Sequence, residues 1–186
     1  KDAVNEGIPI VVVDPKPTEL ARKAKLWLRV RPGTDGALAL GILNLLFTED
    51  LYDHDFVERY THGFEELRAR CRDYPPDKVA AITGIPASQI LAAARWIGTT
   101  KPLGLEQGCA FEQSVNAMDT CRAIFMIPAV TGNYDVPGGF VESMEIVPAG
   151  LRPANELPPE RIEKALTGGV PFLKRDTMAH PYLMLE

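Results

Sequence analysis

Residues 26–48, LWLRVRPGTDGALALGILNLLFT, constrain the fold more than any other stretch. A short apolar strand, Leu26–Val30, leads into Arg31-Pro32-Gly33-Thr34, and a helix opens at about Asp35. The helix, Ala37 to Phe47, is apolar on nearly every face, and a helix without a polar stripe belongs in the interior of a domain. A strand, a Pro-Gly turn and a helix mouth form a common binding device, because the first N–H groups of a helix lack intrahelical partners.

The surrounding chain extends this into an α/β pattern. Ile10-Val11-Val12-Val13 is a continuous β-branched run ending at Asp14-Pro15, as suits a parallel strand covered on both faces. Thr18 caps a short helix at Glu19–Lys23, and the second strand follows, giving a βαβ unit with a minimal crossover. A cluster of short helices comes next. Asp53 is placed as an N-cap, Tyr52 as a staple against Val57, Pro75-Pro76 as a helix end, Gly84 as a C-terminal stop and Pro86 as a first helical residue. Lys101–Glu106 reads as a third strand and Gly108–Gln113 as a loop. Val115–Val130 reads as a helix that Pro128 should kink or end early. Proline and glycine dominate from Pro137 on, and only Pro159–Leu166 there reads as helical.

The totals exclude several function classes. With 186 residues and 46% hydrophobic content, the chain can bury a core. Its formal net charge of −5 and lack of a basic patch disfavour nucleic acid and anionic membranes as partners. No apolar run is long enough to span a bilayer. The three cysteines, Cys71, Cys109 and Cys121, include no C-x-x-C pair, which disfavours a zinc or iron–sulfur site within the chain. Their odd number favours a reducing, cytoplasmic location over the periplasm. The chain starts at Lys1 without a signal peptide, as a processed or excised segment would. There is no G-x-G-x-x-G and no Walker motif, which counts against a nicotinamide dehydrogenase or an NTPase.

Two carboxylates carry the chemistry. Asp14 closes a strand, where open α/β sheets bind ligands, although Asp-Pro also makes ordinary turns. Asp35 stands in the first turn of a helix, where a carboxylate repels phosphate. A fixed carboxylate instead suits the paired N–H donors on the N1 and N2 edge of guanine. The plain alternative is that Asp35 only caps its helix. Gly33 allows a tight turn or a close ligand approach. Gly108, Cys109 and Gln113 form a polar loop at the expected mouth of the sheet. His54, His62 and His180 lie far apart and suit surface or capping roles better than metal binding.

Four strings, VVVDPKPTELARKA, LWLRVRPGTDGALALGILN, LYDHDFVERYTHGFEEL and VTGNYDVPGG, resemble in this order the molybdopterin oxidoreductase family. The likeness is to the dimethyl sulfoxide reductase group, nearest its formate dehydrogenase and acetylene hydratase types, and covers about residues 8–140. It implies an α/β fold: a Rossmann-like three-layer domain with a small, mostly parallel sheet and helical insertions, incomplete because cut from a larger enzyme. It implies a dinucleotide-binding domain at residues 1–140 and an irregular Pro/Gly-rich tail at 141–186. Asp14, Lys16, Thr18, Pro32, Gly33, Thr34 and Asp35 would surround the guanosine and diphosphate of one molybdopterin guanine dinucleotide. Gly108, Cys109 and Gln113 would lie nearer the pterin and its molybdenum or tungsten. Lys16 stands where the family commonly has arginine, keeping the charge but losing the bidentate fork.

The resemblance further implies a 4Fe-4S cluster in an N-terminal domain of the parent enzyme. Neither that cluster's cysteine motif nor a recognisable metal-ligating segment is found in this sequence. The isolated segment is expected to be apo and inactive. Its expected partners are the remaining domains of the parent and an electron-transfer subunit, and exposed sheet edges predict self-association. A reading from another class is a non-catalytic interaction module that docks a redox partner.

Overall fold

The computed structural model describes residues 6–141 and Glu160. Two strands lie side by side in parallel: β1 (Val11–Val13) and β2 (Leu26–Leu28), with Val11 opposite Leu26, Val12 opposite Trp27 and Val13 opposite Leu28. Between them runs α1 (Glu19–Lys23). Thr18 caps it by accepting the Ala21 N–H on its hydroxyl at 3.2 Å, and Ala21 is its buried residue. The chain is thus an α/β protein, rich in helix, with a small parallel sheet.

The core is built around α2 (Asp35–Thr48), which starts where the sequence places it. Leu38, Ala39, Gly41, Ile42, Leu43, Leu45, Leu46 and Phe47 are all buried. Four later helices pack on it: α4 (Phe64–Cys71), α5 (Pro76–Thr83), α6 (Ala87–Thr99) and α7 (Ala117–Val130). Leu43 and Leu46 are fully buried, and each contributes about 1.5–3 kcal/mol through the hydrophobic effect. Gly41 lets α5 approach closely, since a Cβ there would lie 2.7 Å from Val79 Cγ2. At the other end of the core, Phe47, Tyr52 and Phe64 meet with ring centroids 5.0–5.8 Å apart.

The helix ends follow local chemistry. Asp53 caps α3 (His54–Tyr60), its Oδ1 accepting the Phe56 N–H at 3.0 Å. Gly84 ends α5 in the left-handed conformation at φ 77°. Pro86 is the N-cap of α6, one position before the first helical residue expected for it. Pro128 is accommodated inside the last turn of α7, which continues only to Val130. Gly132, at φ 67°, then turns the chain. The helix expected at Pro159–Leu166 lies outside the described residues.

Two expectations fail. Residues 101–106 form no strand. Pro102 has no N–H to give, and the Leu103 N–H donates to the Asn133 side chain at 2.8 Å rather than to a ladder. Asn133 is itself buried and fully engaged, its amide donating to Thr131 O and Oγ1. Helix α7 begins at Ala117 rather than Val115, which is left fully exposed.

Helices α2 and α7 run in the same direction. Gly36, at the start of α2, faces Thr120, at the start of α7, so closely that a Cβ on Gly36 would lie 2.9 Å from Thr120 Oγ1. At the far end the Asp53 N–H, just beyond α2, donates to Val130 O, the last residue of α7. Both helix mouths therefore open at the same end of this helix pair.

Candidate functional site

The carboxyl ends of β1 and β2 emerge together because the strands are parallel and in register. Beyond β1, the Asp14 N–H extends the ladder to Leu28 O at 3.2 Å. Its Oδ1 then accepts the Lys16 N–H at 2.7 Å, closing an Asp-Pro turn. Two side chains of the β2 segment reach across to the same turn. Trp27 donates its indole N–H to Asp14 O at 2.8 Å, and Arg29 donates Nε–H to Pro15 O at 3.3 Å.

Beyond β2, Arg31-Pro32-Gly33-Thr34 makes a tight turn in which the Thr34 N–H donates to Arg31 O at 3.2 Å. Proline at the second position and a left-handed Gly33, φ 80°, are the residues a type II turn requires. Nothing lies within 4 Å of the place a Gly33 Cβ would occupy. The turn is tied down by Arg31, whose backbone N–H donates to Thr83 O and whose Nη1 donates to Ile82 O, each at 2.8 Å. The end of α5 thus fixes the entry to α2.

Asp35 is the first residue of α2 and is half-buried. The plain capping role would have its carboxylate accept a backbone N–H of its own first turn. The structure shows no such bond, and Asp35 joins no ion pair among the described residues. Thr34, the N-cap, turns its hydroxyl to Arg31 O at 2.6 Å instead of to the helix. The mouth of α2 keeps a carboxylate whose oxygens accept no hydrogen bond from the described residues. Asp14 differs, since one of its oxygens serves the turn and the other has no partner among the described residues.

Asp14, Lys16 and the Pro32–Asp35 segment are therefore gathered at the carboxyl edge of the sheet. Thr18 follows on the same connection, with its hydroxyl oxygen already capping α1. Gly108, Cys109 and Gln113 lie on the exposed loop that feeds α7, whose mouth adjoins that of α2. No hydrogen bond joins them to Asp14 or Asp35 among the described residues. In this loop Gln107 donates to Glu112 Oε1 at 2.8 Å, while its own Oε1 is buried with no partner among the described residues. Such an orphan acceptor fits a site that a ligand or a further segment completes.

Sequence reasoning missed Trp27, Arg29, Arg31 and Gln107. The alternation Trp27, Arg29, Arg31 at period two was a usable sign, since it puts three donors on one side of the segment. Gln107 gave no sign. Among the described residues, no three His, Cys, Asp or Glu side chains cluster as a metal site would need. His54 instead contacts Asp50 at 2.8 Å and stacks on Tyr52.

Comparison with known proteins places this architecture. No family model matches the chain. Acetylene hydratase of Syntrophotalea acetylenica is 36% identical over 98% of the chain, which spans 24% of that protein. Dimethyl sulfoxide reductase DmsA of Escherichia coli is 34% identical over 70% of the chain and 18% of its own length. Formate dehydrogenase H of the same organism is 34% identical over 73% of the chain and 19% of its own length. The chain belongs to the molybdopterin oxidoreductase family. The solved acetylene hydratase of Pelobacter acetylenicus matches 70% of the chain and 18% of its own length with a TM-score of 0.68 at 40% identity. The chain thus spans about a quarter or less of the relatives it matches. The family is enzymatic and uses a molybdopterin cofactor. No described helix is long and apolar enough to cross a membrane.

Proposed function

We propose that this chain is the nucleotide-holding segment of a molybdenum or tungsten bis(molybdopterin guanine dinucleotide) oxidoreductase, and that Asp35 reads the guanine base. The observation that carries this is the half-buried Asp35 carboxylate, without a partner among the described residues, at the mouth of α2 beside an open Gly33 turn. A carboxylate offers acceptors only, and the guanine N1–H and N2–H₂ edge offers two parallel donors. Adenine presents an acceptor at N1 and is disfavoured at the same place.

The residues present fit the cofactor. Asp35 and Asp14 would hold the guanosine, Lys16 with the backbone of Pro32, Gly33 and Thr34 would flank the diphosphate, and the Gly108–Gln113 loop would lie toward the pterin. In the complete enzyme the metal centre would supply two-electron redox chemistry or a hydration. The segment alone has no catalytic group in this reading and is inactive by itself. Its partners are the remaining domains of the parent and an electron-transfer subunit. The iron–sulfur cluster belongs to another part of that parent. In this reading the parent enzyme is cytoplasmic rather than periplasmic.

The test is a calorimetric titration of the chain with guanosine and adenosine 5′-diphosphates, repeated on Asp35→Asn. Binding of the guanine nucleotide that adenine does not match and Asp35→Asn abolishes is the expected result. Equal response to both bases, or unchanged binding by the variant, refutes the assignment of Asp35.

A further inference from the structure

We propose that Arg29 is the residue that grips the diphosphate of the nucleotide, held for that purpose by the Asp14-Pro15 turn and the Trp27 ring. This rests on the guanine-nucleotide reading and adds to it a residue that the family resemblance does not supply.

Three observations lead there. Arg29 donates its Nε–H to Pro15 O, so the guanidinium is anchored by its inner edge to the carbonyl next to Lys16. Its Cζ stands 5.9 Å from the Trp27 ring, whose indole N–H holds the neighbouring Asp14 carbonyl. The two terminal nitrogens of Arg29 contact no acceptor among the described residues. Arg59, Arg68, Arg70 and Arg95 are each paired with a carboxylate, whereas Arg22, Arg72 and Arg122, like Arg29, join no ion pair among the described residues, and of these Arg29 is the one anchored by a side-chain hydrogen bond.

A guanidinium restrained at Nε keeps its outer pair of N–H groups parallel and already ordered. That is the geometry of bidentate phosphate recognition, with much of the side-chain entropy lost in advance. Asp14, the carboxylate nearest in sequence to this turn, forms no ion pair with Arg29 among the described residues, and its Oδ1 accepts the Lys16 N–H. Lys16 can add a point charge but no fork. The fork therefore comes from the residue just after β2, across the sheet from the Asp-Pro turn. The base end of the ligand stays with Asp35, whose charge turns the diphosphate away from itself and toward Lys16 and Arg29.

The experiment measures binding of guanosine and of guanosine 5′-diphosphate to the chain and to Arg29→Lys, with the ³¹P resonance of the β-phosphate as a second reading. Lysine keeps the charge and loses the fork. Arg29→Lys should weaken diphosphate binding about tenfold, the loss of one charge-assisted hydrogen bond. It should leave guanosine binding and the unfolding midpoint unchanged and reduce the ³¹P shift. If the variant binds both ligands as the parent chain does, or weakens both equally, Arg29 is not the grip and the guanine reading stands. If the parent chain binds guanosine and its diphosphate equally, no grip exists. Should adenosine 5′-diphosphate bind as well as the guanine form and with the same dependence on Arg29, the grip stands and the base assignment falls. If no nucleotide binds at all, both readings fall together.

Discussion

Replacing Gly41 by alanine tests whether the close approach of α2 and α5 is as tight as described. In an ordinary helix interior the change stabilises by about 1 kcal/mol through backbone propensity. Here the new Cβ would meet Val79 Cγ2 at 2.7 Å, Cγ1 at 3.0 Å and Cβ at 3.2 Å. Val79 is fully buried and cannot turn away freely. Overpacking of this kind costs about 1–3 kcal/mol, and three short contacts on an immobile side chain put the cost near the upper end. The net expectation is a loss of about 2 kcal/mol after the helix gain is subtracted. That corresponds to a fall in Tm of roughly 4–8 °C for a chain of this size. Urea unfolding of Gly41→Ala, Val79→Ala and the double variant measures it. The double variant should be more stable than the sum of the single losses predicts, because the valine methyls that collide with the new Cβ are gone. The perturbation also reaches the site, since α5 ends in the Ile82 and Thr83 carbonyls that hold Arg31. A stabilised Gly41→Ala, or strictly additive losses, would refute the reasoning.

Asp35→Asn should change the unfolding free energy by less than about 1 kcal/mol, the scale of one carboxylate at a helix N-terminus; a larger loss in urea titration would reveal a structural partner for Asp35. Lys101, followed by the Phe56 N–H, holds the Asp53 carboxyl below its usual range. Its stabilising contribution is therefore present above the unfolded value near pH 4 and lost as pH falls through the lower folded value. Urea midpoints between pH 2 and 6 should be less pH-dependent in Asp53→Asn, and unaltered slopes would remove Asp53 from the account. Burial pushes the Cys71 thiol up to about 11, whereas Cys109 is exposed. Mass spectrometry after brief alkylation of the native chain at pH 8 should find Cys109 modified and Cys71 untouched, and equal labelling would contradict the buried position of Cys71.

The sequence read well where local chemistry and burial agree. The bounds of β1, α1 and α2 follow from a β-branched run, a threonine cap and an apolar run behind a Pro-Gly turn. Gly84 and Asp53 act as their residue types suggest. Legibility ended where distant partners decide. Lys101–Glu106 has strand-like composition, but its partner is the side chain of Asn133, thirty residues away. Arg31 could be seen to flank a turn, but not that its tether lies at the end of α5. Trp27 and Arg29 passed as ordinary strand residues because their contacts to Asp14 and Pro15 exist only once the strands are paired. The proximity of the α2 and α7 mouths depends on Gly36 and Thr120, which no local pattern connects.

The central helix is made long before the elements that hide it. From Thr48 to the end of α7 at Val130 the ribosome must add about 80 residues, which takes on the order of 4–16 s at ordinary elongation rates. For about that long α2 waits with eight residues meant for the interior and only part of its cover. A translation pause before α7 would lengthen that exposure.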